Sequence, residues 1–258
     1  MAGNNIKKLR ILFLLLILLI VAGGEYLTRV RTTDWSESLW VVIYPINADG
    51  SEAVQNYINT LSINQFKPIE AYFKREAKRY SVELKDPFSV HLAKPLESQP
   101  PLPPSNGNVL SVMFWSLKLR YWAWANDRFD GPKDIQIFVR YFDPNKTTRV
   151  AHSLGLQKGM LGIVNAFSSN KQNAQNNFVI AHEILHTLGA SDKYDLATNT
   201  PLYPIGYAEP NRNPLYPQKK AEIMGGRIPI SESKSNMPTS LKYSLIGKET
   251  AVEIRWKK

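Results

Sequence analysis

Residues 39–45 read Leu-Trp-Val-Val-Ile-Tyr-Pro, a β-branched and aromatic run that predicts a strand stopped by proline. Asn47-Ala48-Asp49-Gly50 is a turn. Over residues 51–80 the apolar spacing becomes helical, with Val54, Tyr57, Ile58 and Leu61, then Ile69, Tyr72, Phe73 and Ala77. This predicts two helices broken near Asn64 and Pro68. Residues 89–92 form a short second strand containing His91, read as a half-buried strand residue. Prolines at 95, 100, 101, 103 and 104 make the next stretch an exposed connector. Residues 108–126 predict a helix whose Phe114, Trp115, Leu117, Tyr121, Trp122 and Trp124 pack into a core. Ile135, Ile137 and Val139 alternate with Gln136, Phe138 and Arg140, which marks a strand. Two more strands are expected at 151–156 and 162–167, then a helix over 174–188. Beyond it, prolines at 201, 204, 210, 214 and 217 predict loops, and residues 239–256 hold a last element.

That final long helix carries His182-Glu183-Ile184-Leu185-His186, followed by Thr187-Leu188-Gly189-Ala190-Ser191-Asp192. Histidines four apart share one helix face, so both imidazoles can reach one zinc ion. Glu183 stands where a carboxylate can act as general base on a metal-activated water. Gly189 can end the helix in a left-handed turn, and the turn can bring Asp192 back as a third ligand. Three protein ligands with a fourth position open is the pattern of catalytic zinc. Asp195, Glu209 and Glu222 are the competing third ligands. The other two histidines, His91 and His152, lie far away in sequence.

The stretch HEILHTLGASD resembles the metzincin zinc metallopeptidases, whose longer pattern is HExxHxxGxxH, with Asp192 in place of the third histidine as in snapalysin-like members. The resemblance implies an α+β catalytic domain: a twisted mixed β-sheet with helices, the HExxH active-site helix and a small irregular C-terminal lobe. It implies Zn2+ as cofactor, Glu183 as catalytic base, and Met224 as the methionine of a turn beneath the metal, with Met237 as the other candidate. Some members carry a tyrosine two residues after that methionine. Gly226 stands there, which leaves Tyr194, Tyr203, Tyr207 and Tyr216 as substitutes. The clan's edge strand, which pairs with substrate backbone, is matched to residues 161–167, and the last element to a helix. The implied activity is hydrolysis of peptide bonds in a peptide or protein substrate. The alternatives are a catalytically inactive surface-attached binding module with a structural metal, and a non-peptidase zinc amidohydrolase.

Composition narrows the setting. Lys7, Lys8 and Arg10 precede an apolar run over residues 11–22. This reads as a signal peptide or a signal-anchor transmembrane helix over residues 1–24. Residues 25–258 then form one extracytoplasmic domain, with an upper lobe of about 35–189 and a lower lobe of about 190–258. It is either membrane-anchored through the apolar segment or released by cleavage. No cysteine is present, so disulfides and thiolate chemistry are excluded. The net charge of +10 favours anionic partners. Nucleic acid is not expected among them, because no nucleic-acid-reading motif is present.

Overall fold

The computed structural model describes residues 7–13, 15, 16, 23, 33–104 and 107–257. Residues 7–13 are helical. The larger elements that follow are β1 (Leu39–Asn47), α1 (Glu52–Asn59), α2 (Lys67–Arg79), β2 (Phe88–Leu92), α3 (Val109–Asn126), β3 (Ile135–Phe142), β4 (Leu154–Leu156), β5 (Leu161–Phe167), α4 (Asn173–Thr187) and α5 (Lys248–Glu253). The chain is α+β, built on one mixed five-stranded sheet.

Local chemistry sets the boundaries. Ser51 caps α1 by accepting from the Val54 N–H. Pro68 does not break a helix, as the sequence led us to expect. It sits in the first turn of α2, where a missing N–H costs nothing, and the break is the 3₁₀ turn Ile63–Gln65.

The sheet order is β2-β1-β3-β5-β4, parallel throughout except for β4, which runs antiparallel to β5. The central strands are buried on both faces, which explains the unbroken apolar run of β1. On one face Ile43, Ile137 and Val139 join Phe73, Ile180 and Ile184 in a core with α1, α2 and α4. On the other, Val42, Tyr44, Phe138 and Ile163 pack on Trp115, Leu119 and Ala123 of α3.

Three sequence expectations need correction. The helix α3 is not core all round: Trp115 is buried, but Phe114 is 66% exposed and Trp124 75% exposed. Only one side of α3 meets the sheet. Second, residues 161–167 are not the free edge, because β5 lies between β3 and β4. The edge is β4, shorter than the predicted 151–156. Third, among the described residues no helix is long and apolar enough to cross a membrane, which overturns the transmembrane signal-anchor. Length is the reason: the described helical stretch 7–13 would rise only about 10 Å, against ~30 Å of hydrocarbon. Most of residues 14–32, with the expected cleavage region, lie outside the described residues.

After α4 the chain is mainly loop, as the prolines predicted, tied by short pairings. Strand β6 (Ala221–Glu222) runs parallel to β9 (Ser244–Leu245), and β7 (Ile228–Pro229) pairs antiparallel with β8 (Ser235–Asn236). Glu222 is fully buried and accepts from the Gly225 N–H, the Gly247 N–H and the Thr250 hydroxyl, each at 2.8 Å. It joins the 3₁₀ turn Ile223–Gly225 to the start of α5. The last element is the helix α5, as the resemblance implied.

The two sides of α3 predict opposite mutational costs. Trp115→Ala should destabilise by about 3–5 kcal/mol through a core cavity. Phe114→Ser should change stability by no more than about 0.5 kcal/mol. Urea unfolding of both variants measures the contrast.

Candidate metal centre

Helix α4 is anchored before it reaches the histidines. The Asn176 side chain donates to the Phe167 carbonyl at 2.9 Å, and Asn177 donates to the Gln65 carbonyl at 2.7 Å. These bonds fix the helix against the end of β5 and the turn before α2. The helix then ends at Gly189, whose φ of 98° is left-handed. The Gly189 N–H donates to the His186 carbonyl and the Ala190 N–H to the Leu185 carbonyl, both at 3.0 Å. This 5→2 and 6→1 pair is a Schellman motif. It reverses the chain and returns Asp192 to the histidines.

Three ligand-type atoms converge there. The Nε2 atoms of His182 and His186 are 3.1 Å apart, and Asp192 Oδ1 lies 3.2 and 3.1 Å from them. The opposite ring nitrogens are engaged. His182 Nδ1 bonds the Ile223 carbonyl at 2.9 Å, and His186 Nδ1 bonds the Ala190 carbonyl at 2.8 Å. A carbonyl can only accept, so each Nδ1 carries the proton. In the neutral rings both Nε2 atoms then present lone pairs. Two ring nitrogens and a carboxylate oxygen face one point, where without a cation a proton on His182 Nε2 bridges to Asp192; a metal ion binding there would displace it. Tetrahedral zinc, with bonds of ~2.0–2.1 Å, would space its ligand atoms ~3.3 Å apart. The donor set and spacing therefore fit zinc.

Electrostatics agree with the geometry. Burial by itself would lower His182, but the Asp192 hydrogen bond, the Glu183 charge and the Ile223 carbonyl push it up to about 9. Burial acts to raise Asp192, yet hydrogen bonds from both histidines hold it well below the usual carboxylate range. Burial raises Glu183 above its ordinary value, against the pull of the two histidines. Glu183 is 4% exposed, and its Oε2 has no hydrogen-bond partner. The edge strand passes directly over it: a Cβ at Gly155 would stand 2.5 Å from His186 Cβ and 3.1 Å from Glu183 Oε2. Gly155 is therefore required by close backbone approach.

The competing third ligands are placed elsewhere. Asp195 is exposed and accepts from the Ala197 and Thr198 N–H groups in its own turn. Glu209 pairs with Arg212, and Glu222 serves the loop junction described above. His91 stacks on Trp40, ring centroids 4.1 Å apart, and does not approach the centre. Met224 is fully buried in the main core. It lies on the 3₁₀ turn whose Ile223 carbonyl accepts from His182. Met237 lines the adjoining cleft.

Of the four candidate tyrosines, Tyr194 is at the centre. Its ring centroid lies 6.4 Å from that of His182, and its hydroxyl, pushed up to about 12 by burial and then by the nearby Asp192 charge, stays protonated. The ring passes 3.7 Å from where a Gly226 Cβ would be, so it occupies space beside Gly226. Tyr203, Tyr207 and Tyr216 pack against one another.

A clamp that the sequence did not reveal holds the ligand loop. Glu253 of α5 accepts from the Ser191 N–H at 3.2 Å, from the Ser191 hydroxyl, and from Lys193 Nζ at 2.7 Å. Lys193 is buried, and its N–H donates to the Met224 carbonyl. Asp192 is thus gripped through both neighbours. The contact joins residues about sixty positions apart, and no local pattern signals it.

A cleft of about 320 Å³ opens beside His182 and Glu183, bounded by residues 148–153, by Phe167 and by the turn at Gly226. The Asn165 side chain donates to the Ala151 and His152 carbonyls at 3.3 and 3.0 Å, which holds residues 151–153 beside β5 where regular pairing has stopped. No family model matches the chain. No curated protein matches it at a significant level.

Removing the clamp should loosen the third ligand. Glu253→Ala is expected to weaken zinc binding about 10–100-fold, the usual loss when a group that orients a ligand is removed. Competition with a zinc-selective chelator measures it. Unchanged affinity would mean that Asp192 is positioned without α5.

Proposed function

We propose that this chain is a zinc-dependent metallopeptidase, metzincin-like, that cleaves peptide bonds outside the cytoplasm. The observation that carries this reading is the convergence of three ligand-type atoms beside a buried glutamate, one oxygen of which has no hydrogen-bond partner, at the side of a cleft. A structural metal site has no use for such a carboxylate. Several fold features support the family likeness: the mixed sheet with one antiparallel edge strand, the Schellman turn at Gly189, and the buried methionine on the turn that receives the His182 hydrogen bond. The basic residues ahead of the apolar N-terminal run support export.

His182, His186 and Asp192 would hold the zinc. The ion, when bound, supplies Lewis acidity that polarises a carbonyl and acidifies water. Glu183 Oε2 takes the proton from the attacking water and passes it to the leaving amine nitrogen. A carboxylate raised by burial suits both halves of that transfer. The substrate backbone lies along the free edge of β4, where main-chain hydrogen bonds hold it extended. Gly155 lets that edge approach Glu183 closely. The Tyr194 hydroxyl, protonated near the metal centre, would supply a donor to charge developing on the substrate oxygen.

Glu183→Ala should retain about one zinc per chain and lose peptide hydrolysis by at least about a hundredfold, the lower range for a general base. Metal analysis and a peptide-library cleavage assay on the same preparation test both halves, and full turnover in the variant would refute the mechanism. Asp192→Ala should lower zinc affinity sharply whereas Asp195→Ala should not. The reverse ranking would assign the third ligand to Asp195.

A further inference from the structure

The cleft beside Glu183 carries more positive charge than a zinc site needs. Its lining includes two arginines, Arg149 and Arg227, and Glu183 is the one carboxylate among the described residues that line it. Several other arginines are used internally, although exposed Arg128 and Arg255 are not. Arg75 and Arg79 pair with Glu76 and bond backbone carbonyls of the C-terminal region, Arg140 bonds Asn165 and Gln99, and Arg212 pairs with Glu209. Arg149 and Arg227 make no ion pair or side-chain hydrogen bond among the described residues. Arg149 is exposed on the segment that continues the edge strand. Arg227 is half-buried and follows the left-handed Gly226, whose neighbour is the Tyr194 ring. The two line the same cleft from separate segments of the chain.

The rest of the cleft raises the worth of those charges. Phe167, Phe178, Val179 and Met237 give it apolar walls. Charge pairing beside low-dielectric walls is stronger than in open water. A guanidinium presents a planar fork of donors that matches a carboxylate. A basic substrate group would meet two like charges here. A carboxylate would meet two partners, whose charges offset repulsion from Glu183.

We propose that this cleft is a subsite for a substrate carboxylate, held between Arg149 and Arg227, and that the preferred substrates are acidic peptides. The peptide nature of the ligand rests on the peptidase reading; the anion preference rests on the two arginines. The carboxylate can come from an Asp or Glu side chain or from a free chain terminus.

The test is equilibrium binding of fluorescein-labelled hexapeptides to zinc-loaded Glu183→Ala protein, followed by anisotropy at low salt. The peptides carry Glu, Gln or Lys at one position, each with a free or an amidated C-terminus. The Glu peptides should bind at least tenfold tighter than the Gln peptides, with Lys weakest, and the gap should shrink as salt is raised. Adding Arg227→Gln should cut the gap below threefold, whereas the same charge loss at exposed Lys78 on α2 should leave it intact. A preference that follows only the free C-terminus also supports the subsite and identifies the terminus as the source. Equal affinity for Glu, Gln and Lys peptides, or equal loss with Lys78→Gln, overturns the proposal. If wild-type protein still cleaves neutral peptides in that case, the peptidase reading stands alone. Acidic selectivity in binding, with no peptide cleaved by wild type, removes the hydrolytic reading and keeps the subsite.

Discussion

Two hydrogen bonds from imidazole to backbone carbonyl govern the chemistry of this protein. His182 Nδ1 donates to Ile223 and His186 Nδ1 to Ala190. Each places the ring proton away from the centre and leaves Nε2 free to bind a cation. They also make the site depend on two turns, one local and one about forty residues away. One carbonyl belongs to the turn that ends α4, the other to the 3₁₀ turn bearing Met224. Neither ring could hold its orientation if α4 were packed on the sheet alone.

Much of the surrounding fold can be understood as support for those two turns. The Ile223 turn is held by Glu222, whose buried carboxylate satisfies three donors and ties the turn to the start of α5. The far end of α5 carries Glu253, which grips Ser191 and Lys193 on either side of Asp192. One short helix thus braces two parts of the site. Because α5 has only six residues, its stability comes from tertiary contact rather than from helix propensity. Trp35 donates to the Ile254 carbonyl and packs on Trp256, which fastens the helix to the start of the sheet.

The cleft is made by an absence of side chain as much as by side chains. The edge strand comes close enough to α4 for Gly155 to touch the space of His186 and Glu183. Beyond Leu154 the strand gives way to a segment held by the Asn165 side chain in place of ladder hydrogen bonds. That substitution lets residues 148–153 bend outward and form one wall, with Arg149 on it.

The amino-acid sequence by itself determined the elements and the motif. Apolar alternation and helical spacing located the central strands and α4, because those periodicities follow from backbone geometry. The spacing of His182, Glu183, His186, Gly189 and Asp192 is likewise local: a helix, a left-handed turn and three more residues bring these side chains near one another, and distant contacts then fix them. Tertiary structure alone decided what depends on partners far along the chain. It made β4 rather than β5 the sheet edge, because strand order is set by packing and not by local pattern. It left one face of α3 uncovered, since an apolar residue in a helix has the same local signature whether or not another element meets it. It chose Tyr194 from four tyrosines, sent Glu222 to a structural duty, and brought Glu253 to the loop that carries Asp192. The reason is common to these: contacts between distant residues are specified by the whole packed chain, and no window of sequence contains both ends of them.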